Sequence, residues 1–240
     1  MASNNERLSE FARSLPNDYR TRFDADQIAV HFQTLEDRAR SGSSVAVRRF
    51  PWTQPDITGL CVVAEDRPGL LSNISRALSE FGCDVDSALA FTRPSTEGRP
   101  AEALDLFFVR YADGPFDEAR EEELAELLRK ILSGNYESRL PPPSQATSSA
   151  SDTTVRFLED GSGSLTVLEV ETNDRSGLLW ALTRALHREN VQIVSSKIKT
   201  NGGRVQDRFV ICETNGSPIR PERRLVIQVA VLTALSPQDR

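Results

Sequence analysis

The chain carries one segment twice. Residues 57–92 read ITGLCVVAEDRPGLLSNISRALSEFGCDVDSALAFT, and they align without a gap on residues 165–200, LTVLEVETNDRSGLLWALTRALHRENVQIVSSKIKT. Thirteen of these 36 positions are identical, and the turn D-R-P-G-L-L (66–71) returns as D-R-S-G-L-L (174–179). ALDLFFVRYADG (103–114) then matches VQDRFVICETNG (205–216) after a loop that is six residues shorter in the second copy. Because repeated sequence indicates repeated structure, we predict two copies of one domain.

Each copy predicts the element order β-α-β-β-α. A strand precedes the turn, and apolar residues at i, i+4, i+7 and i+8 after it are typical of an amphipathic helix. Two strands follow (83–91 and 103–111; 191–199 and 205–212), and a helix closes each copy (116–132; about 221–235). This is the ferredoxin-like β-α-β-β-α-β unit with its last strand unclear. We therefore predict an α+β fold with antiparallel sheets and helices on one face. Residues 136–140 are a candidate for the last strand of the first copy.

Four segments follow from the repeat. Residues 1–50 form an N-terminal tail, expected to be disordered over 1–15, and a connector with a helix capped by Asp24. Residues 55–139 form the first domain, the Pro- and Ser-rich residues 140–153 form a flexible linker, and residues 164–236 form the second domain. The last helix is apolar nearly all round over 225–235, so it is either a core helix or one with a second face that docks on another copy or chain.

Composition narrows the functional classes. The 35 acidic residues outnumber the 29 basic ones, for a net charge of −6, which argues against a nucleic-acid partner. No apolar run reaches the length of a membrane helix and no signal peptide is visible, so we expect a cytoplasmic protein without a membrane partner. Cys61, Cys83 and Cys212 are widely spaced and predict reduced thiols. With only two histidines, the sequence predicts neither a metal site nor a cofactor.

The repeat and its turn resemble the ACT-domain family of small-molecule-binding regulatory modules. The family pattern is present as Asp66–Leu71, Phe81-Gly82 and D-L-F-F-V (105–109), and the second copy keeps Asp174–Leu179 and D-R-F-V-I (207–211). More closely, residues 15–235 are similar to the tandem ACT region at the C-terminus of bacterial protein uridylyltransferase/uridylyl-removing enzymes. Those enzymes also carry a G-S-x-x-R-x-x-D-x-D signature and a His-Asp hydrolase motif, and neither occurs here. We therefore predict a sensor that is not an enzyme.

The resemblance implies where an effector binds. In the family, amino acids sit between this turn and the start of the second strand of a paired module. The helical N–H groups after the turn favour an anion, and a nearby acid accepts from an ammonium. Carried over position by position, the ligand-binding residues are Asp66, Arg67, Pro68, Gly69, Leu70 and Asp84 in the first copy, and Asp174, Arg175, Ser176, Gly177, Leu178 and Gln192 in the second.

Other interpretations stay open at this point. Each turn is also a helix start capped by its aspartate, and the two arginines are also ordinary surface or interface residues. Ser176 replaces Pro68, which makes the second turn the weaker candidate. Our first hypothesis is a sensor of a small amino acid, glutamine by analogy, in nitrogen or amino-acid regulation. The alternatives are a ligand-independent adaptor or homodimerisation module that uses open sheet edges or faces, and a subunit that regulates a uridylyltransferase or a signal protein in trans.

Overall fold

Each copy of the repeat folds as four strands with two helices packed on them. The computed structural model describes residues 4–137, 153–159 and 165–236. The first half comprises α1 (Asn4–Arg13), α2 (Asn17–Arg22), α3 (Ala25–Ser41), β1 (Val45–Phe50), β2 (Thr58–Glu65), α4 (Leu70–Glu80), β3 (Cys83–Arg93), β4 (Glu102–Tyr111) and α5 (Glu118–Leu132). The second comprises β5 (Thr154–Glu159), β6 (Thr166–Asn173), α6 (Leu178–Arg188), β7 (Val191–Asn201), β8 (Arg204–Glu213) and α7 (Pro221–Leu235).

The two units share one antiparallel sheet. Its strand order is β1-β2-β4-β3-β7-β8-β6-β5. The units meet at β3 and β7, where Ser87 pairs with Lys199 and Ala90 pairs with Ser196. The predicted α+β class and antiparallel pairing are confirmed, and the two sheets are continuous. The junction places the turn of each unit beside the second strand of the other.

The missing strand of each unit lies at the N-terminal side of the unit. β1 pairs with β2 over its whole length and β5 pairs with β6, in the positions that the last strand occupies in the ferredoxin-like order. The expectation that residues 136–140 supply this strand was wrong: 136 and 137 belong to no strand, and 138–140 lie outside the described residues. β1 falls within the segment that we assigned to the tail and connector. Residues 140–152 of the predicted linker are also outside the described part.

The main core lies between the sheet and α4–α7. In the first unit Ile74 and Leu78 of α4 pack with Leu124 of α5 against Leu60 and Phe107 of the sheet. The second unit repeats this arrangement, with its buried side chains at Leu168, Leu182, Leu186, Phe209 and Ile227. Because the apolar stripes of the helices all face the sheet, the predicted helical layer is confirmed for these four helices.

The opposite face of the first unit is covered by α1–α3. Phe11, Tyr19 and Phe32 are buried in a second cluster that includes Phe108 of β4. The expected disorder over 1–15 was therefore wrong for the described residues 4–15, since α1 buries Phe11 as an anchor. The capping box predicted to start at Asp24 is present at the start of α3. These helices add a layer that we did not predict, so helices on one face describe only the second unit.

The last helix has two apolar faces. Ile227 and Val231 are buried in the main core, whereas Leu225, Val226 and Val229 are exposed. The core interpretation of α7 is confirmed, and its second face contacts solvent in this chain. Among the helices in the described ranges, none combines the length and the apolar character needed to cross a bilayer.

Candidate functional site

Two crevices flank the junction between the units. The first, called crevice 1, lies between the turn at 66–72 and the start of β7 at 191–194, and its volume is about 40 Å³. The second, called crevice 2, lies between the turn residues Asp174, Arg175 and 177–180 and the start of β3 at 83–85, and its volume is about 30 Å³. Each crevice thus takes its turn from one copy and its strand from the other. Exchanging the copies converts one crevice into the other.

The turns fold as glycine-led helix starts. Gly69 and Gly177 are the N-cap residues, with φ of +79° and +73°. This left-handed conformation favours glycine, because a Cβ would meet the following peptide group. Our expectation that Asp66 and Asp174 cap the helices was wrong, since they precede the N-cap by three residues. The Asp66 carboxylate instead accepts a hydrogen bond from the Thr92 hydroxyl at 3.0 Å.

The two turn arginines hold the ends of the closing helices. Arg67 donates to the carbonyl of Leu132 at 2.7 Å, and Arg175 donates to the carbonyl of Ala234 at 3.2 Å. A guanidinium at this place suits the negative end of a helix dipole. The interface interpretation of the arginines therefore has a specific contact in both copies. A second nitrogen of Arg175, Nη1, is buried and has no hydrogen-bond partner.

The structure brings together most of the residues carried over from the resemblance. Crevice 1 is lined by Asp66, Arg67, Pro68, Gly69, Leu70 and Gln192. Crevice 2 is lined by Asp84, Asp174, Arg175, Gly177 and Leu178. Ser176 is exposed on its turn and is not part of the lining. Gln192 therefore faces the first turn and Asp84 faces the second.

His187 occupies the approach to Gly69. A Cβ added to Gly69 would lie 2.7 Å from the His187 ring, although His187 itself remains exposed to solvent. The open access to the Gly69 backbone that we expected is therefore taken up by a side chain of the other unit. In crevice 2 the equivalent position, 108 residues earlier, is Ser79.

Two buried acids were missed as site residues. Asp105 lines crevice 1 and Asp207 lines crevice 2, with exposed fractions of 3% and 1%. Burial raises the pKa of each carboxyl well above its usual value, and the nearby charge of Asp66 or Asp174 raises it further. A signal for them was present: each is a lone acid inside an apolar strand, at the same place in both copies.

The carboxylates of crevice 2 also affect one another. Burial raises the pKa of Asp174, and the charge of Asp84 adds to the shift. An ammonium group would relieve this repulsion, because it donates hydrogen bonds to carboxylates and carries the opposite charge. Within the described ranges, no three His, Cys, Asp or Glu side chains are grouped so as to hold a metal ion. The groups present suit the binding of a small polar molecule.

Comparison with known proteins gives consistent relatives. The chain is 33% identical over 225 residues to a bifunctional uridylyltransferase/uridylyl-removing enzyme of Azospirillum brasilense, covering 89% of this chain and 24% of that protein. The Ruegeria pomeroyi enzyme is 29% identical over 225 residues, covering 90% and 24%. The chain thus spans about a quarter of the length of the curated relatives it matches. No family model matches it.

Solved structures with related folds are regulatory proteins by their descriptions. The regulatory subunit of aspartate kinase from Thermus thermophilus is 15% identical, covers 80% of this chain and 97% of its own, and gives a TM-score of 0.24. A putative glycine cleavage system transcriptional repressor is 18% identical, covers 75% and 90%, and gives 0.25. The curated relatives confirm the resemblance that the duplicated turn predicted.

Proposed function

We propose that this chain, a tandem ACT-domain protein that resembles the C-terminal ACT region of bacterial uridylyltransferase/uridylyl-removing enzymes, is a non-catalytic sensor of a small amino acid. The observation that carries the proposal is the pair of crevices, each built from the turn of one unit and the second strand of the other. A ligand there contacts both units at once. Its binding energy therefore depends on how the units are arranged, which is the requirement for a regulatory signal.

The crevices offer groups for both charges of an amino acid. Asp66 and Asp105 in crevice 1, and Asp174 and Asp207 in crevice 2, are acceptors for an ammonium. The arginines and the first N–H groups of α4 and α6 are donors for a carboxylate. Glutamine is our first choice of effector by analogy with the relatives.

We place this sensor in the cytoplasm and in nitrogen or amino-acid regulation. The three cysteines are buried free thiols, as a reducing compartment requires. The regulated partner that we propose is a uridylyltransferase-type enzyme or a signal protein, acting through the same chain or in trans. The similarity to the regulatory quarter of the relatives supports this choice.

A screen of the twenty amino acids tests the proposal. In thermal-shift measurements at millimolar ligand, at least one amino acid should raise the midpoint by several degrees, because a ligand that binds only the folded state stabilises it. Gln192→Ala in crevice 1 or Asp84→Ala in crevice 2 should remove the shift, whereas Asp113→Asn on an exposed loop should keep it. Twenty flat responses would overturn the proposal.

An adaptor function is the second candidate, and the exposed face of α7 favours it. Leu225, Val226 and Val229 form an apolar patch on a helix whose other side is in the core. The patch predicts concentration-dependent dimerisation without any amino acid. Light scattering at several chain concentrations tests this: a dimer lost in Leu225→Ser with Val229→Ser supports the adaptor, and a monomer throughout contradicts it.

A further inference from the structure

Unpartnered polar atoms concentrate around crevice 2. Both carboxylate oxygens of Asp207, the hydroxyl of Thr200 and Nη1 of Arg175 are buried there without a hydrogen-bond partner. In the part of the chain that the structure describes, their counterparts in crevice 1 (Asp105, Thr92 and Arg67) leave no buried polar atom in that condition. A buried polar group is costly unless it is hydrogen-bonded, so crevice 2 has groups that a ligand can satisfy.

The unpartnered atoms carry both signs of charge. Asp207 is an acceptor and Arg175 is a donor, and both line the same crevice. A zwitterion that places its carboxylate on Arg175 and its ammonium on Asp207 would satisfy both. Neither a simple anion nor a simple cation would do so.

Crevice 2 also holds one acid more than crevice 1. Asp84 lies where crevice 1 has Gln192, so three carboxylates (Asp84, Asp174 and Asp207) share the site with Arg175. Arg110, the other cation near Asp174, already pairs with Asp56 and Asp86. A neutral zwitterion leaves this excess of negative charge in place, and a ligand with a second positive group reduces it.

The wall of crevice 2 is less obstructed at the position that closes crevice 1. His187 covers Gly69 in crevice 1, and its counterpart in crevice 2 is the small Ser79. Crevice 2 has a volume of about 30 Å³, close to that of a single water in the liquid (~30 Å³), so an amino acid has to widen it. Asp84 is exposed at the edge of the crevice and is available to an arriving cation.

We propose that crevice 2 binds an α-amino acid that carries a second positive charge, such as lysine or ornithine. Its carboxylate lies beside Arg175, and its two ammonium groups lie beside Asp84, Asp174 and Asp207. This inference rests on the proposed amino-acid sensing and narrows it to one crevice and one ligand class. It also reverses the order that the sequence suggested, in which Ser176 made the second turn the weaker candidate.

Titration calorimetry on the whole chain at pH 7 tests the inference with four probes. L-lysine should bind at least tenfold more tightly than L-norleucine, which lacks the side-chain ammonium, and than cadaverine, which lacks the carboxylate. L-glutamine is the neutral comparison and should bind at least tenfold more weakly than lysine. Equal affinities for lysine and norleucine would overturn the inference.

Matched variants locate the binding. Asp207→Asn should weaken lysine binding at least tenfold, and Asp105→Asn at the equivalent place in crevice 1 should leave it unchanged. Asp84→Asn changes an exposed residue that folding does not need, and it should weaken lysine binding while leaving norleucine binding as it was. A loss caused by Asp105→Asn, or no loss with Asp84→Asn, contradicts the assignment to crevice 2.

The outcomes also separate this inference from the proposed function. If glutamine or another neutral amino acid binds and lysine does not, the cationic ligand class is wrong and amino-acid sensing stands. If none of the twenty amino acids binds, both are wrong.

Discussion

The buried carboxyl of Asp207 should make the chain less stable as the pH rises. Its side chain is 1% exposed and neither oxygen has a hydrogen-bond partner, so the folded state favours the protonated form and the pKa is raised well above the usual value. Between the unfolded pKa, near 3.8, and the raised folded pKa, the folded chain binds one proton more than the unfolded chain. The stabilisation is therefore fully present below the unfolded pKa and is lost as the pH rises through the folded pKa.

Asp207→Asn should remove this contribution, because an amide does not titrate. In that window a single group changes the free energy of unfolding by at most about 1.4 kcal/mol for each pH unit. From pH 5 to pH 7 the variant should gain on the wild type by as much as about 3 kcal/mol. For a chain of this size that corresponds to roughly 5–10 °C in the melting midpoint.

Calorimetric melting at pH 5, 6, 7 and 8 measures the effect. Only the change of the difference with pH matters, because any constant cost of the amide cancels. Asp105→Asn should repeat the trend, since burial also raises the pKa of that carboxyl, and the exposed Asp113→Asn should show none. If the wild-type and Asp207→Asn midpoints run parallel across this range, the reasoning about the buried acid is refuted.

Three further predictions concern contacts that shape the fold around the crevices. Gly69→Ala should lower the unfolding free energy by about 1–3 kcal/mol in denaturant titrations, since φ is +79° and the new Cβ would lie 2.7 Å from His187; His187→Ala should recover part of the loss, and additive effects would contradict the contact. His31 is buried and its pKa is lowered to about 3, so the wild type should lose stability as the pH falls from about 6.5 toward 3, and His31→Gln should flatten this loss in acid melts; an unchanged pH profile would contradict it. Glu102 is buried and pairs with Arg93 at 2.9 Å, so Glu102→Ala should cost about 3–5 kcal/mol and Arg93→Ala together with it less than the sum; a loss under 1 kcal/mol would refute the role of this pair.

The duplicated segment was enough to predict the two units and the crossed arrangement of their sites. Local patterns define a turn, an amphipathic helix and alternating strands, and both copies state the same pattern. What the sequence did not predict depends on pairing across long distances. β1 is a six-residue strand with two arginines, and only its partner β2, in the register from Val45 opposite Ala64 to Phe50 opposite Gly59, makes it recognisable.

The second face of the sheet explains the other errors. β2 is buried on both sides in the first unit, whereas β6 is buried mainly on one side in the second. The sequence of β2, TGLCVVAE, contains this difference as a continuous apolar run, which is typical of a strand covered twice. The run did not identify the cover. Phe11 and Tyr19 supply it from helices in the segment where we expected a tail.

The two crevices illustrate how a duplication can separate two originally similar sites. A few substitutions at equivalent positions distinguish them: His187 against Ser79, and Gln192 against Asp84. In crevice 1 the Thr92 hydroxyl and the His187 ring fill the needs of the turn from within the chain. In crevice 2 the same backbone geometry leaves Asp207 and Arg175 with unpartnered atoms. Because a ligand gains most where the protein has not already satisfied its own polar groups, the two turns are expected to differ in function although their folds match.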